Sequence, residues 1–169
     1  MGERLLPRDL DELFAHALAV ERRAAERFAE LERYMRAAGM DHIADEFQAI
    51  GREEREQYEA LAIGTAGREL PQLSSWEYAA HFLGPQAEVV RAPGNVREAL
   101  ALAIAGERRA QNFYVDVAEH TFDDTMCAFA AEMAVDEGRH IARLERLLAR
   151  EPQAAAPGAP GAEVLPLKT

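Results

Sequence analysis

The sequence predicts an all-α fold, a four-helix bundle built from two antiparallel helical hairpins. Four long segments carry apolar residues at helical spacing. Tight joints connect the first segment to the second and the third to the fourth, and such joints make antiparallel hairpins. No stretch combines sustained alternation with β-branched enrichment, so no strand is predicted. The hairpins are separated by a long link, which favours a bundle with one crossover connection.

The first hairpin is predicted over residues 9–38 and 41–63. Asp9 and Glu12 form a plausible capping pair at the start of its first helix, and Gly39 is a plausible stop at the end. Only a couple of residues separate the two helices. They should therefore pack side by side in opposite directions.

The second hairpin is predicted over residues 95–120 and 123–150. Asn95 is the capping residue of its first helix, with Glu98 three positions later. Pro152 follows the second helix and prevents its continuation. The joint between these helices is as tight as in the first hairpin.

The link over residues 64–94 is long enough to run the length of the bundle. Ser74 and Glu77 could cap a short helix within it, in the segment "SWEYAAHFL". Beyond the bundle domain, residues 1–150, the composition changes to proline, alanine and glycine. Residues 151–169 are therefore predicted to be a flexible tail.

Composition excludes several classes of partner and of site. The formal net charge of −11 argues against a nucleic-acid backbone or an anionic membrane as partner, and suits a cation-binding interior. The single cysteine, Cys127, excludes an internal disulfide framework and a Cys-x-x-Cys metal module. We find no apolar run of signal-peptide or membrane-span length, so a cytoplasmic location is expected.

The sequence contains an internal repeat, in which the second hairpin resembles the first. The phrase "AVERRA" at residues 19–24 returns as "AGERRA" at residues 105–110, which aligns Glu21 with Glu107. Aligning the second helices of the hairpins places Glu54 on Glu137 and Gln57 on His140. Each hairpin therefore carries one glutamate on its first helix and Glu-x-x-(His or Gln) on its second.

These four glutamates lie on apolar or small helical faces. Neighbours on a helix are three and four residues away, and those of Glu21, for example, are alanines and a leucine. Four carboxylates buried together would repel one another, and two divalent cations would balance their charge. One glutamate from each of two helices, with Glu-x-x-His from the others, is the recurring di-metal carboxylate pattern. The predicted ligands are Glu21, Glu54, Glu107, Glu137 and His140.

Over residues 9–150 the sequence resembles the rubrerythrin-like members of the ferritin-like superfamily. The resemblance lies in Glu21, in Glu54 of "EEREQY", in Glu107, and in Glu137 with His140 of "DEGRHI". It implies a ferritin-like bundle with a di-iron centre that reacts with peroxide or dioxygen. It also implies that Glu54 and Glu137 bridge two irons, with Glu21 terminal on one and Glu107 with His140 on the other.

Three features depart from the family pattern. Gln57 replaces the histidine of the second helix, and Ala110 stands where a further glutamate is often found. No four-cysteine rubredoxin module is present in this sequence, so an external electron-donor protein is expected. Tyr114, two turns from Glu107, could hydrogen-bond a ligand carboxylate or could simply be a packed aromatic residue.

The leading functional prediction is a di-iron oxidase or peroxidase that acts as a homodimer or small homo-oligomer on a small oxidant. Carboxylates with one histidine suit iron or manganese, although zinc could occupy the site in a purified sample. One alternative is a ferroxidase or iron-handling protein, which would need a large shell. Another is a structural or binding module with a degenerate metal site, which Gln57 and Ala110 would favour.

The remaining histidines and the paired arginines are predicted to have no role in the metal site. Surface or helix-capping positions are expected for four histidines: His16, His42, His81 and His120. The arginine pairs at 22–23 and 108–109 are expected to be solvated, with their stems covering the bundle.

Overall fold

A computed structural model of the chain describes residues 6–74 and 92–153. Its helices are α1 (Leu10–Ala37), α2 (Asp41–Gly64), α3 (Val96–His120) and α4 (Asp124–Arg150), and the described residues contain no strand. The all-α prediction is confirmed, and each helix boundary lies within one residue of its predicted position. The short helix predicted in the link, and the tail beyond residue 153, fall outside the described residues.

The helix ends form as their residues predict. The side chain of Asp9 accepts the backbone N–H of Glu12 at 2.9 Å, and that of Asn95 accepts the N–H of Glu98 at 2.9 Å. Each satisfies a backbone donor that has no partner within the helix. Gly39, between α1 and α2, has a φ of 72°, which glycine adopts without the steric penalty of a side chain.

The four helices pack as two hairpins, α1 with α2 and α3 with α4. One apolar cluster joins the start of α1 and the end of α3, and includes Leu13 and Val117. A second cluster joins the end of α1 and the start of α3, and includes Met35 and Ala99. Helices α1 and α3 are therefore antiparallel, and the link from α2 to α3 must cross from one end of the bundle to the other.

His16 corrects one prediction from the sequence. Its side chain is buried at 2% exposure, and its ring lies 5.6 Å from that of Phe113. The residue follows Leu13 by three positions and precedes Val20 by four, so helical geometry places it on the core stripe of α1. The expectation of a surface position was wrong because it ignored this spacing.

The paired arginines correct a second prediction. The expectation that all of them are solvated holds for Arg22 and Arg108, which are exposed. It was wrong for Arg23 and Arg109, which are half-buried because the second arginine of each pair falls on the stripe that lines the seam between α1 and α3.

None of the helices in the described parts of the chain is long and apolar enough to cross a membrane.

Gly51 allows α1 and α2 to approach closely, and this contact generates a prediction. A Cβ added at Gly51 would lie 2.9 Å from Cβ of Phe28. We expect Gly51→Ala to lower the free energy of unfolding by about 1–2 kcal/mol, because overpacking outweighs the gain in helix propensity. Urea denaturation of the metal-free protein measures the change.

The matched control is Gly64→Ala at the end of the same helix, where an added Cβ meets nothing within 4 Å. This variant should keep the original stability or gain up to ~1 kcal/mol. Equal effects of the two substitutions would contradict the assigned packing role of Gly51.

Candidate metal centre

Four glutamates and one histidine are buried between the two apolar clusters. Glu21, Glu54, Glu107 and Glu137 are each at most 1% exposed, and His140 is 4% exposed. Every helix contributes one of the glutamates, because the two halves of the chain repeat the same pattern. The expectation that these side chains face the interior is confirmed.

Four of these five side chains converge closely. Potential ligand atoms of Glu54, Glu107, Glu137 and His140 all lie within 4.8 Å of one another. The Nδ1 atom of His140 is 2.6 Å from Oε1 of Glu54, in an ion-pair contact, and 3.2 Å from Oε2 of Glu107, in a hydrogen bond. These four residues form a compact cluster with a mixed nitrogen and oxygen donor set.

Glu21 lies beside this cluster and outside the set of closest ligand atoms. The Tyr114 hydroxyl donates a hydrogen bond to Oε1 of Glu21 at 2.5 Å, and both residues are fully buried. Of the two roles considered for Tyr114, the hydrogen bond to a candidate ligand carboxylate is present. Its ring also packs on Phe113, with centroids 5.1 Å apart.

Several carboxylate oxygens of the site lack a hydrogen-bond partner among residues 6–74 and 92–153. They are both oxygens of Glu54, both oxygens of Glu137, and Oε2 of Glu21; of these, Oε1 of Glu54 keeps its 2.6 Å ion-pair contact with His140. A buried polar atom without a hydrogen bond is costly, and a buried carboxylate is more so. These atoms have the chemistry of ligands to a hard or borderline cation, so the residues fit a metal centre.

Without a cation, the cluster holds protons more tightly than isolated side chains do. Burial raises the pKa of Glu21, and the charge of Glu54 raises it further. Burial and the charge of Glu107 raise the pKa of Glu137. Burial also raises the pKa of Glu107, to about 7, although the hydrogen bond from His140 partly opposes the shift.

His140 responds to the same surroundings. Burial acts to lower its pKa, but the hydrogen bond to Glu107, the close contact with Glu54 and the charges of both carboxylates outweigh burial and raise the pKa to about 11. An imidazolium cation thus neutralises part of the cluster in the absence of metal. A metal ion would displace this proton, because histidine binds metal in its neutral form.

Comparison with known proteins agrees with this geometry. The family model named Rubrerythrin matches residues 12–148. The chain belongs to the rubrerythrin family. An uncharacterised conserved protein from Magnetospirillum magnetotacticum MS-1 has a similar crystal structure, with a TM-score of 0.74 and 26% sequence identity over 88% of this chain and 99% of that chain. Among curated proteins, no relative matches the chain.

Membership of the rubrerythrin family supports a ferritin-like di-iron protein, and the buried Glu/His cluster could bind metal. Gln57, the main departure from the family pattern, has a defined partner here. Its side-chain amide donates to Oδ2 of Asp136 on α4 at 3.3 Å. The residue is half-buried in the seam between α2 and α4.

Glu53 is a residue of the site that the sequence analysis missed. Its Oε2 is 3.1 Å from Nε2 of His140, and its Oε1 accepts from Arg143 at 3.1 Å. Metal-binding histidines in proteins usually donate the second ring N–H to a carboxylate, which fixes the ring. Glu53 stands in that relation to His140.

The internal repeat in the sequence could have indicated the contact between Glu53 and His140. Glu53 aligns with Asp136, so an acidic residue precedes the buried glutamate in both hairpins. Glu53 contacts His140, which is three positions after Glu137, the buried glutamate of the second hairpin's α4. Asp136 contacts Gln57, which is three positions after Glu54 on α2. Both acidic residues face an open groove of about 390 Å³ between α2 and α4.

The raised pKa values predict how the stability of the metal-free protein depends on pH. Folding raises the pKa of Glu107 from 4.5 to about 7 and that of His140 from 6.5 to about 11. The folded state therefore binds more protons than the unfolded state, and the free energy of unfolding should fall as pH rises from about 5 to 8. Each group contributes a slope of at most ~1.4 kcal/mol per pH unit.

Urea denaturation across this range, with a chelator present, measures the trend. Glu107→Gln should flatten it between pH 5 and 7, because the group that titrates there is gone. Saturating manganese should reverse the trend, since metal binding requires deprotonated ligands. A metal-free protein that becomes more stable toward pH 8 would show that the cluster does not retain its protons.

Proposed function

We propose that this protein is a di-iron oxidoreductase that reduces peroxide or dioxygen with electrons from an external donor protein. The observation that carries the proposal is the set of buried carboxylate oxygens without hydrogen-bond partners among the described residues. Five such atoms on three glutamates, beside a buried histidine, are suited to two cations. Two divalent cations would carry four positive charges, which balance the four carboxylates.

The hydrogen-bond pattern supports a specific division of roles. Neither oxygen of Glu54 or Glu137 has a hydrogen bond among the described residues, and a metal would replace the imidazolium that Oε1 of Glu54 contacts. Both carboxylates could therefore bridge two metals. Glu21 has only Oε2 available, because Oε1 accepts from Tyr114, and this suits a terminal ligand. Glu107 and Nδ1 of His140 would serve the other metal.

The chain's own residues would hold this centre in place. Tyr114 orients Glu21, and Glu53 orients His140 from the groove side. Bound iron would supply electrons one at a time to the oxidant. Reduction of one hydrogen peroxide molecule to two waters takes two electrons and two protons, so the electron donor must deliver two electrons in each turnover.

The partners and setting of the protein belong to the same proposal. We place it in the cytoplasm as a homodimer or small homo-oligomer, with iron as its metal. An iron-handling role is the second candidate, because the groove between α2 and α4 is lined by three acidic residues, Glu53, Glu56 and Asp136, against one arginine, Arg139, and includes His140. A cation could reach the cluster by this route, and a storage role would also require a large shell.

Anaerobic loading with ferrous iron tests the function. We expect two irons per chain, and complete oxidation of both by one equivalent of hydrogen peroxide, measured by optical absorption. Glu54→Ala should leave fewer than one iron per chain, because it removes a bridge shared by both metals. Glu59→Ala, exposed on the same helix and not among the groove residues, is the control and should retain two.

A loaded protein that peroxide and dioxygen oxidise no faster than free ferrous iron would refute the redox proposal. Many irons per chain in a large particle would assign the protein to iron storage. If the unmodified protein binds no more iron than Glu54→Ala does, the protein is a structural module with a degenerate metal site.

The two metal positions should differ in affinity. The position served by Glu107 and His140 has two terminal ligands, whereas the position of Glu21 has Gln57 in place of an imidazole. We expect the first position to fill first, because affinity follows ligand charge and donor strength. Gln57→His should raise occupancy of the weaker position, since Asp136 could accept the introduced N–H as Glu53 does for His140.

Site-resolved anomalous scattering, combined with metal stoichiometry, measures the two occupancies. His140→Ala is the reciprocal variant and should empty the stronger position. Full and equal occupancy in the unmodified protein, or no response to Gln57→His, would contradict the asymmetry.

A further inference from the structure

Glu53 holds His140 from the groove between α2 and α4. Oε2 of Glu53 lies 3.1 Å from Nε2 of His140, and Oε1 of Glu53 accepts from Nη1 of Arg143 at 3.1 Å. The carboxylate therefore contacts an arginine of α4 with one oxygen and the histidine with the other. Nδ1, the second ring nitrogen of His140, faces the cluster, where it contacts Glu54 and Glu107.

Asp136 holds Gln57 in the same arrangement. Oδ1 of Asp136 accepts from Nη1 of Arg139, and Oδ2 accepts from Nε2 of Gln57 at 3.3 Å. The nitrogen end of the amide must face Asp136, because the amide oxygen would oppose the carboxylate with a second acceptor. Here too, one carboxylate oxygen contacts an arginine of α4 and the other contacts the side chain three residues after a buried glutamate. Position 57 therefore keeps the support that a histidine has in the other hairpin.

An amide and an imidazole offer comparable pairs of polar atoms. In histidine one carbon separates Nδ1 from Nε2, and in glutamine one carbon separates Oε1 from Nε2. Because Nε2 is the groove-side atom in both His140 and Gln57, Oε1 of Gln57 is the counterpart of the histidine Nδ1. Oε1 makes no hydrogen bond within residues 6–74 and 92–153, so its lone pairs are available to a cation.

Gln57 supplies this oxygen without altering the charge balance of the centre. The four buried glutamates carry four negative charges, which two divalent cations would balance. A glutamate at position 57 would add a fifth charge, and a leucine would provide no donor atom. The amide of glutamine is uncharged, has an oxygen donor for a cation, and can still donate to Asp136.

The two proposed metal positions then differ in the kind of donor atom. One position has oxygen donors only, from Glu21, Glu54, Glu137 and Gln57. The other position has the imidazole nitrogen of His140 in addition to its carboxylates. Oxygen donors suit manganese and magnesium, whereas imidazole suits iron and zinc. The difference between histidine and glutamine therefore affects which metal each position prefers, besides how tightly it binds.

We propose that Oε1 of Gln57 is a ligand to the cation beside Glu21, and that it makes this position selective for manganese relative to the His140 position. When both metals are supplied, the centre holds iron beside His140 and manganese beside Gln57. This inference rests on the proposed two-metal centre, but it depends neither on redox activity nor on an electron donor.

Anaerobic loading with one equivalent of Fe²⁺ and one of Mn²⁺ per chain tests the selectivity. Two metals then compete for two positions, so their distribution depends on the difference in selectivity and not on which position binds more tightly. Anomalous scattering at the iron and manganese absorption edges measures the content of each position. We expect about a threefold or larger excess of iron at the His140 position, with the reverse at the Gln57 position, as for about a tenfold difference in selectivity.

Substitutions at position 57 separate its role from that of the other ligands. Gln57→His gives both positions an imidazole, so each should hold the two metals in equal proportions. Gln57→Leu removes the oxygen donor at similar volume and should lower manganese affinity by about tenfold or more, since even groups that only support a ligand have effects of that size. Gln48→Leu, the same substitution at an exposed residue of α2, is the control and should leave the distribution and the affinity unchanged.

Circular dichroism confirms that each variant is folded, and Gln57→His carries the test if Gln57→Leu is unfolded. Two metals per chain in equal proportions at both positions of the unmodified protein would refute the role of Gln57 and leave the di-iron proposal standing. An iron and manganese distribution that Gln57→His does not change would also refute it. A protein that binds neither metal would refute the metal centre itself.

Discussion

The burial of four carboxylates in one layer is the constraint on which the rest of this structure depends. Glu21, Glu54, Glu107 and Glu137 occupy the middle of a bundle whose two ends are apolar. Such a layer reduces the stability of the chain unless protons or cations neutralise it. His140 and raised pKa values meet part of this requirement in the absence of metal, and a pair of divalent cations would meet it in full.

The internal repeat explains how one short sequence pattern builds this layer. Each hairpin supplies the same elements, and their antiparallel packing brings them together from four helices. The repeat also pairs the supporting groups, since Glu53 contacts His140 and Asp136 contacts Gln57 across the same seam. The two hairpins differ in the residue that the acidic side chain contacts, which is His140 in one case and Gln57 in the other. The repeat is therefore asymmetric at a candidate ligand position.

The two seams of the bundle differ in the balance of charged residues that line them. Between α2 and α4, the charged residues that line the open groove beside His140 are Glu53, Glu56, Asp136 and Arg139, so acidic groups predominate. Between α1 and α3, three arginines surround a small cavity that ends at Glu107. Because the net charge of the chain is −11, the arginine-lined cavity is a local departure from its average character.

The sequence by itself determined the helices, their ends, the hairpin pairing and the five candidate ligands. Helical spacing and capping act over three or four residues, and the repeat makes the buried glutamates stand out from solvated ones such as Glu56. Only the tertiary structure decided the contacts between helices: Glu53 with His140, Tyr114 with Glu21, and Arg27 over Gly106. These depend on how far apart two helices lie and how they are rotated. Spacing within one helix fixes the face on which a residue lies, but the partner that it meets there is set by packing across the bundle.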